Sequence, residues 1–94
     1  MRLNQKKFAE WLRKQPPDKI VGKNRSPSCP IVQYYRDASG GREVIIYGRD
    51  ADYFIDRGDG ERKVPSWAAD FICKIDGDQA GDIAARHALE VLTD

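Results

Sequence analysis

Apolar residues recur at helical spacing near the start of the chain, and the residues around them mark both ends of a helix. The apolar positions are Phe8, Trp11 and Leu12. Asn4 is a residue type that often caps a helix N-terminus, because its side-chain oxygen accepts a hydrogen bond from a first-turn amide. Pro16 and Pro17 end the pattern, since proline lacks the amide hydrogen and restricts the preceding residue. The pattern predicts a helix over about residues 4–15.

The next segment is basic and rich in turn-forming residues before a second apolar run begins. Residues 20–21 suit a short extended piece, and the sequence GKNRSPS that follows is typical of a loop. Ser28 or Cys29 then precedes a helix with Pro30 near its first position, where a missing amide hydrogen costs nothing. A serine and two glycines at residues 39–41 end this short helix. Its apolar side contains Ile31, Val32, Tyr34 and Tyr35, and the two tyrosines belong either to its core face or to a contact face.

The middle of the chain has the composition of β-strands. The segment EVIIYG over residues 43–48 is rich in β-branched and aromatic residues and is followed by turn residues, which favours a strand. The segment DYFI over residues 52–55 predicts a second strand, and the linker between the two is short enough for a hairpin. Glycine and charged residues over 56–62 indicate a turn, and residues 62–64 are a candidate third strand.

Two further helices are predicted in the last third of the chain. The first opens at Pro65 and Ser66, has an apolar stripe that includes Phe71 and Ile75, and ends at residues 76–78. The second is expected over about residues 82–92, with Asp82 as its N-cap and a broad apolar face of alanine, leucine and valine.

The order of elements is therefore helix, short helix, β-hairpin, helix and helix, and a third strand after the hairpin is an open alternative. This order predicts a single α+β domain over residues 1–94, in which the helices pack on one face of a small antiparallel sheet. A two-stranded hairpin is only marginally stable alone, so the helices are needed to complete its core.

Composition adds a broad class to this fold. The chain is 40% hydrophobic and 33% charged, which is typical of a globular protein and not of a disordered one. It has no long apolar run that would span a membrane and no apolar export signal after Met1. With only two cysteines, a reducing cytoplasm is the expected location, and no membrane partner is expected.

Charge is distributed unevenly, and this gives the first candidate site. Residues 1–25 contain eight basic and two acidic side chains, whereas residues 26–94 contain eight basic and thirteen acidic ones. A basic cluster can neutralise several phosphates, and tyrosines beside it can stack on unpaired bases. A nucleic-acid-binding surface would therefore use the basic N-terminal region with the tyrosines that follow it. Its candidate residues are Lys6, Lys7, Lys19, Lys23, Arg25, Tyr34 and Tyr35.

A second candidate site combines this basic region with the acidic hairpin. Asp52 and Asp59 belong to a group of carboxylates around the predicted hairpin. Two surfaces of opposite charge suit electrostatically steered docking on another protein, and exposed aromatic residues would serve as anchors. The candidate anchors are Trp11, Tyr34, Tyr35 and Trp67.

Catalysis and metal binding receive little support from the sequence. A helix N-terminus lowers the pKa of a thiol, so Cys29 at a helix start is a candidate nucleophile, with His87 as the only histidine available as its base. The commoner alternative for a free cysteine is a buried, small hydrophobic residue. No recognised nucleophile motif, phosphate-binding loop or paired metal-ligand spacing accompanies Cys29 and His87. The sequence thus predicts no enzyme, no metal and no cofactor, and a thiol-dependent enzyme using Cys29 stays an alternative.

Four short motifs resemble a pattern in short bacterial and phage-associated proteins of uncharacterised function. They are FAEWL at residues 8–12, QPPD at 15–18, SCPI at 28–31 and VPSWAADF at 64–71. The resemblance implies a small, stand-alone cytosolic protein, and it provides no catalytic or binding residue to transfer. Small proteins of mobile elements often bind and block a larger host machine, so the resemblance favours a larger protein as the partner.

The sequence therefore leads to one main hypothesis and two alternatives. The main hypothesis is a non-catalytic binding protein that acts by protein–protein contact, as an inhibitor or an adaptor. The first alternative is a nucleic-acid-binding protein that uses the basic N-terminal region, and the second is the thiol-dependent enzyme. The sequence leaves the oligomeric state open.

Overall fold

A computed structural model describes residues 3–23, 29–41, 43–47, 53–56, 60–77 and 81–93. The elements confirm the predicted α+β class and the order of the helices and the hairpin. They are α1 (Gln5–Lys14), β1 (Ile20–Lys23), α2 (Pro30–Ala38), β2 (Val44–Tyr47), β3 (Tyr53–Asp56), β4 (Gly60–Lys63), α3 (Ser66–Asp76), β5 (Asp82–Ala84) and α4 (Ala85–Thr93).

The strands form two antiparallel sheets. In the first, β2 pairs with β3 and β3 pairs with β4, so the predicted hairpin is confirmed and continues into a third strand. In the second, β1 pairs with β5, and the register shifts between Ile20 and Gly22 in the manner of a β-bulge. The sequence pattern did not predict this second sheet, although it did predict the extended piece that became β1.

The start of the last helix differs from the prediction. Asp82 does not cap α4, because it lies in β5, and α4 begins at Ala85. Two main-chain carbonyls from the segment before β1 accept hydrogen bonds from the first amides of α4: Lys19 O from Ala85 N at 2.8 Å and Pro17 O from Arg86 N at 3.1 Å. These bonds satisfy donors that a side-chain cap would otherwise serve. Residues 82–84 can therefore pair with β1 and bury the Ile83 side chain.

The ends of α1 and α2 follow the sequence signals. Asn4 Oδ1 accepts a hydrogen bond from Lys7 N at 3.0 Å, which confirms the predicted cap of α1. At the end of α2, Gly41 N donates to Arg36 O at 2.7 Å and Gly40 N donates to Asp37 O at 3.5 Å. This is the Schellman pattern, and it requires the left-handed φ of 78° at Gly40, which glycine adopts at little steric cost.

One hydrophobic core joins the four helices to both sheets, and it contains a group of five rings that we call the aromatic cluster. The cluster consists of Phe8, Trp11, Tyr34, Trp67 and Phe71. Phe8 is its centre, because the Phe8 ring is fully buried and its centroid lies 5.2–6.2 Å from those of the other four. Such distances are typical of stabilising aromatic pairs.

Candidate functional site

A groove of about 890 Å³ runs across the surface between α1, β1 and α2. The C-terminal half of α1 and the whole of β1 form part of its lining, and α2 with the two glycines after it forms the rest. The lining residues are Trp11, Gln15, Lys19, Ile20, Val21, Gly22, Lys23, Gln33, Arg36, Asp37, Gly40 and Gly41.

Strand β1 borders the groove along its full length. In the described part of the chain β1 pairs only with β5, so one of its two edges has no neighbouring strand. The two residues in the middle of this strand, Val21 and Gly22, are buried, whereas Ile20 and Lys23 at its ends are exposed. Ile20 is 49% exposed, which is a large exposed fraction for an isoleucine side chain. The groove thus combines an exposed apolar side chain with charged residues at the ends of β1.

A hydrogen bond between α1 and α2 fixes the wall of the groove. The Trp11 indole Nε1 donates to Asp37 Oδ2 at 2.8 Å. The Trp11 ring also packs edge-on against Tyr34, with centroids 5.7 Å apart. Trp11 therefore belongs both to the aromatic cluster and to the groove lining, and its partners on α2 hold the ring in place.

Three cationic side chains make the groove positive. Lys19 and Lys23 stand at the two ends of β1, and Arg36 faces them from α2. The Lys19 ammonium donates to Gln15 Oε1 at 3.2 Å, and Lys23 Nζ lies 3.8 Å from an Asp82 carboxylate oxygen. Both members of this ion pair are more than half exposed, so it is worth only about 0–1 kcal/mol and leaves Lys23 available to a ligand.

The predicted basic residues divide into two groups. Lys19 and Lys23 lie in the groove, whereas Lys6 and Lys7 are exposed on α1 and are outside its lining. Lys7 precedes Trp11 by one turn on the same side of the helix, while Lys6 lies about 140° around the helix from Trp11. The remaining predicted residues, Arg25, Asp52 and Asp59, lie outside the described residues.

The two tyrosines face the core, so the prediction that they contact a partner is wrong for the folded protein. Tyr34 is 3% exposed and Tyr35 is fully buried. The Tyr35 hydroxyl accepts a hydrogen bond from an Arg62 Nη atom at 3.1 Å. Burial, reinforced by the negative charge of Glu10, raises the pKa of the Tyr34 hydroxyl. Neither ring offers a face for stacking on a base, and of the predicted anchors only the half-buried Trp11 borders the groove.

Cys29 is buried, which agrees with the commoner of the two alternatives, and its pKa shifts opposite to the direction that the thiol-enzyme alternative requires. Burial raises the pKa of the Cys29 thiol above its ordinary value of 9.0, and the charge of Asp76 acts in the same direction. The backbone amides of Val32 and Ile31 oppose this shift without outweighing it. A buried, neutral thiol is a poor nucleophile. Cys73 is exposed, and neither of these two described cysteines forms a disulfide.

Within the described residues, no group of three or more His, Cys, Asp or Glu side chains is arranged to hold a metal ion. None of the helices in the described ranges has the length and apolar character needed to cross a membrane.

Sequence reasoning missed several residues that line the groove. Arg36, Asp37 and Gln33 lie on α2, and their position beside β1 depends on how α2 packs against that strand. The helical pattern gave one signal for them, because Tyr34 and Tyr35 define the buried side of α2 and place Arg36 and Asp37 outside it. No local signal indicated that Asp37 would bind Trp11.

Comparisons with known proteins do not extend these observations. No protein-family model, no curated protein and no solved structure matches the chain. The resemblance of the four motifs to short bacterial and phage-associated proteins therefore stays a prediction.

Proposed function

We propose that this protein is a non-catalytic binding protein that acts by protein–protein contact through the groove between α1, β1 and α2. The observation that supports this proposal is the composition of the groove. It presents the exposed Ile20 side chain and the fixed Trp11 ring beside three cations. Apolar and aromatic contacts surrounded by charged side chains are typical of protein interfaces.

The same groove is a poorer match to nucleic acid. Its three cations share the lining with Asp37, whose carboxylate repels phosphate, and the buried tyrosines provide no stacking surface. A strong phosphate-binding surface neutralises several phosphates, and binding to bases in single strands depends on exposed aromatic faces. The thiol-dependent alternative is not proposed again, because the Cys29 thiol is buried and its pKa is raised.

The test is a selection of ligands from a displayed library of random peptides, followed by titration of the enriched peptides with purified protein. We expect the enriched peptides to bind the wild type and to lose most of their affinity for Lys19→Glu. Lys6→Glu is the matched control, because it makes the same charge change on α1 outside the groove. Fluorescent oligothymidylate and oligouridylate, titrated at low and physiological salt, test the nucleic-acid alternative.

Two results would overturn the proposal. One is a library that enriches no peptide sensitive to Lys19→Glu. The other is oligonucleotide binding that weakens steeply with salt and is abolished by Lys19→Glu but not by Lys6→Glu, because that pattern would make the groove a nucleic-acid site.

A further inference from the structure

We propose that the partner presents to the groove an acidic segment in which carboxylate side chains flank one large apolar side chain. This inference rests on the proposed function and adds to it the chemistry of the bound segment. The carboxylates pair with the cations of β1 and α2, and the apolar side chain packs against Ile20 and Trp11.

The exposed part of β1 decides where a ligand makes contact. Val21 and Gly22 in the middle of the strand are buried, whereas Ile20 and Lys23 at its ends are exposed. Lys19, directly before the strand, is exposed as well. A ligand in the groove therefore meets side chains at the two ends of β1, and its binding does not require access to the backbone of the strand.

The lining of the groove carries a positive charge that its own acidic group does not neutralise. Lys19, Lys23 and Arg36 share the lining with one carboxylate, that of Asp37. Asp37 Oδ2 already accepts the Trp11 indole hydrogen bond at 2.8 Å. The excess of cations favours an acidic ligand, because complementary charges speed the encounter of two partners and reject partners of the same sign.

The contacts that these cations make within the protein leave them available to a ligand. The Lys19 ammonium donates to the neutral Gln15 amide oxygen at 3.2 Å, which does not compensate its charge. The exposed pair of Lys23 and Asp82, with 3.8 Å between its charged atoms, loses little when a ligand carboxylate replaces Asp82. Among the described residues, Arg36 has no ion-pair partner, and a guanidinium can bind one carboxylate through two hydrogen bonds.

Charge alone would not hold a partner in the groove. Ion pairs between exposed side chains contribute little to binding and are weakened by salt. The lining provides apolar contacts at two places, the half-exposed Ile20 side chain and the half-buried Trp11 ring. Ile20 lies in the chain between Lys19 and Lys23, so a large apolar side chain with carboxylates on both sides matches the order of groups along β1.

The test starts from the peptides that the random library enriches on the full chain. Those that bind in the groove are recognised without reference to their charge, because they shift the indole N–H signal of Trp11 in a nitrogen–proton NMR spectrum. The chain has two tryptophans, and Trp11→Phe identifies the Trp11 signal by removing it. The Trp67 signal is the internal control, because Trp67 lies outside the groove lining.

Two matched variants of one groove-binding peptide are then titrated against the full chain together with the parent peptide. The first replaces every aspartate and glutamate with the corresponding amide, which removes the charge at nearly constant shape. The second replaces the largest apolar residue with alanine. In further peptides, each acidic residue in turn is replaced by lysine, and these are titrated against Lys19→Glu, with Lys6→Glu as the control outside the groove.

We expect the groove-binding peptides to carry a net negative charge and at least one large apolar residue. The amide variant and the alanine variant should each bind at least about tenfold more weakly than the parent peptide. At least one of the lysine-substituted peptides should bind Lys19→Glu more tightly than it binds the wild type, because the charge reversal on one side compensates that on the other. Lys6→Glu should show no such compensation.

Three outcomes would overturn the inference and leave the proposed function in place. They are groove-binding peptides that are neutral or basic, equal affinity of the parent peptide and the amide variant, and equal affinity of the parent peptide and the alanine variant. Self-association of the wild type that Lys19→Glu abolishes, measured by sedimentation, would make a second copy the occupant and would also overturn the inference. A library that enriches no groove-binding peptide would instead overturn the proposed function, and this inference with it.

Discussion

The aromatic cluster and the groove share one side chain, Trp11, but differ in every other respect. Phe8, Tyr34 and Phe71 of the cluster are buried, and the five rings pack in stacked, tilted and edge-on arrangements around Phe8. The groove is lined by exposed charges, and the ion pair between Lys23 and Asp82 at one end of β1 is open to solvent. The contacts in the aromatic cluster stabilise the fold. Replacing the side chains that line the groove should change the free energy of unfolding only slightly.

Under the proposed function, this difference separates the residues for stability from those for binding in a chain of 94 residues. A small domain buries a limited fraction of its surface, so each core ring matters more than it would in a larger protein. The groove side chains contribute little to stability and are therefore available for recognition. Substitutions in the aromatic cluster should consequently lower the free energy of unfolding, and substitutions in the groove should weaken peptide binding. A substitution of Trp11 should change both.

The largest effect is expected at the centre of the aromatic cluster. Phe8→Ala removes a fully buried ring and its contacts with four other rings, so we expect the free energy of unfolding to fall by about 3–5 kcal/mol. Urea unfolding followed by circular dichroism measures this change. Lys6→Ala on the same helix is the control and should alter the value by less than about 0.5 kcal/mol. A loss below about 1 kcal/mol for Phe8→Ala would contradict the central role of this ring.

The next effect concerns alkaline pH and distinguishes a buried ionisable group from the exposed groove charges. Burial raises the pKa of Cys29 in the folded protein above its unfolded value of 9.0. Above pH 9.0 the unfolded chain therefore loses the thiol proton first, and stability falls as the pH rises. A single thiol limits this slope to about 1.4 kcal/mol per pH unit. Unfolding measured across this range should show a shallower fall in Cys29→Ala, and equal slopes would contradict the prediction.

A smaller effect is expected at the bond that connects the two regions. Trp11→Phe keeps an aromatic ring but removes the indole donor, and Asp37→Ala removes the acceptor. We expect a coupling energy of about 0.5–1.5 kcal/mol from a double-mutant cycle of the two substitutions. Binding of the library-selected peptides should also weaken in Asp37→Ala, because the Trp11 ring is no longer held at the groove wall. A coupling energy near zero would show that the hydrogen bond between Trp11 and Asp37 does not link the groove energetically to the aromatic cluster.

The smallest effect on stability is expected for the groove charges. Lys19→Ala and Arg36→Ala should each change the free energy of unfolding by less than about 0.5 kcal/mol, because both side chains are exposed. The same variants should weaken binding of the library-selected peptides. Calorimetry and peptide titration on one preparation measure both quantities. A large loss of stability in either variant would show that the groove charges contribute to the fold.

The sequence predicted those features of the fold that depend on residues adjacent in the chain, such as the ends of helices. Asn4 predicted the start of α1, and the two glycines at 40 and 41 predicted the end of α2, because caps and helix ends are decided within one turn. Residues 82–84 were wrongly expected to be helical, since their pairing with β1 depends on a segment far away in the sequence. Local propensity is a weak preference that such tertiary pairing overrides.

The candidate site was predictable only in part, for the same reason. Lys19 and Lys23 were found because they lie close together in a basic segment, and the structure places both in the groove. Arg36 and Asp37 were missed because they reach the groove through the packing of α2 against β1. The tyrosines were left between core and surface, and only the orientation of α2 decides that both face inward.

The main chain and the side chain of Lys19 have different roles in the structure. Its carbonyl accepts a hydrogen bond from the first amide of α4, while its side chain lies in the groove. Almost any side chain at position 19 leaves that carbonyl in place, so the residue can vary without loss of the helix that it helps to begin. Under the proposed function, mutation or directed evolution at this position can therefore alter ligand preference at little risk to folding, which makes the position a suitable one to randomise in a small recognition scaffold.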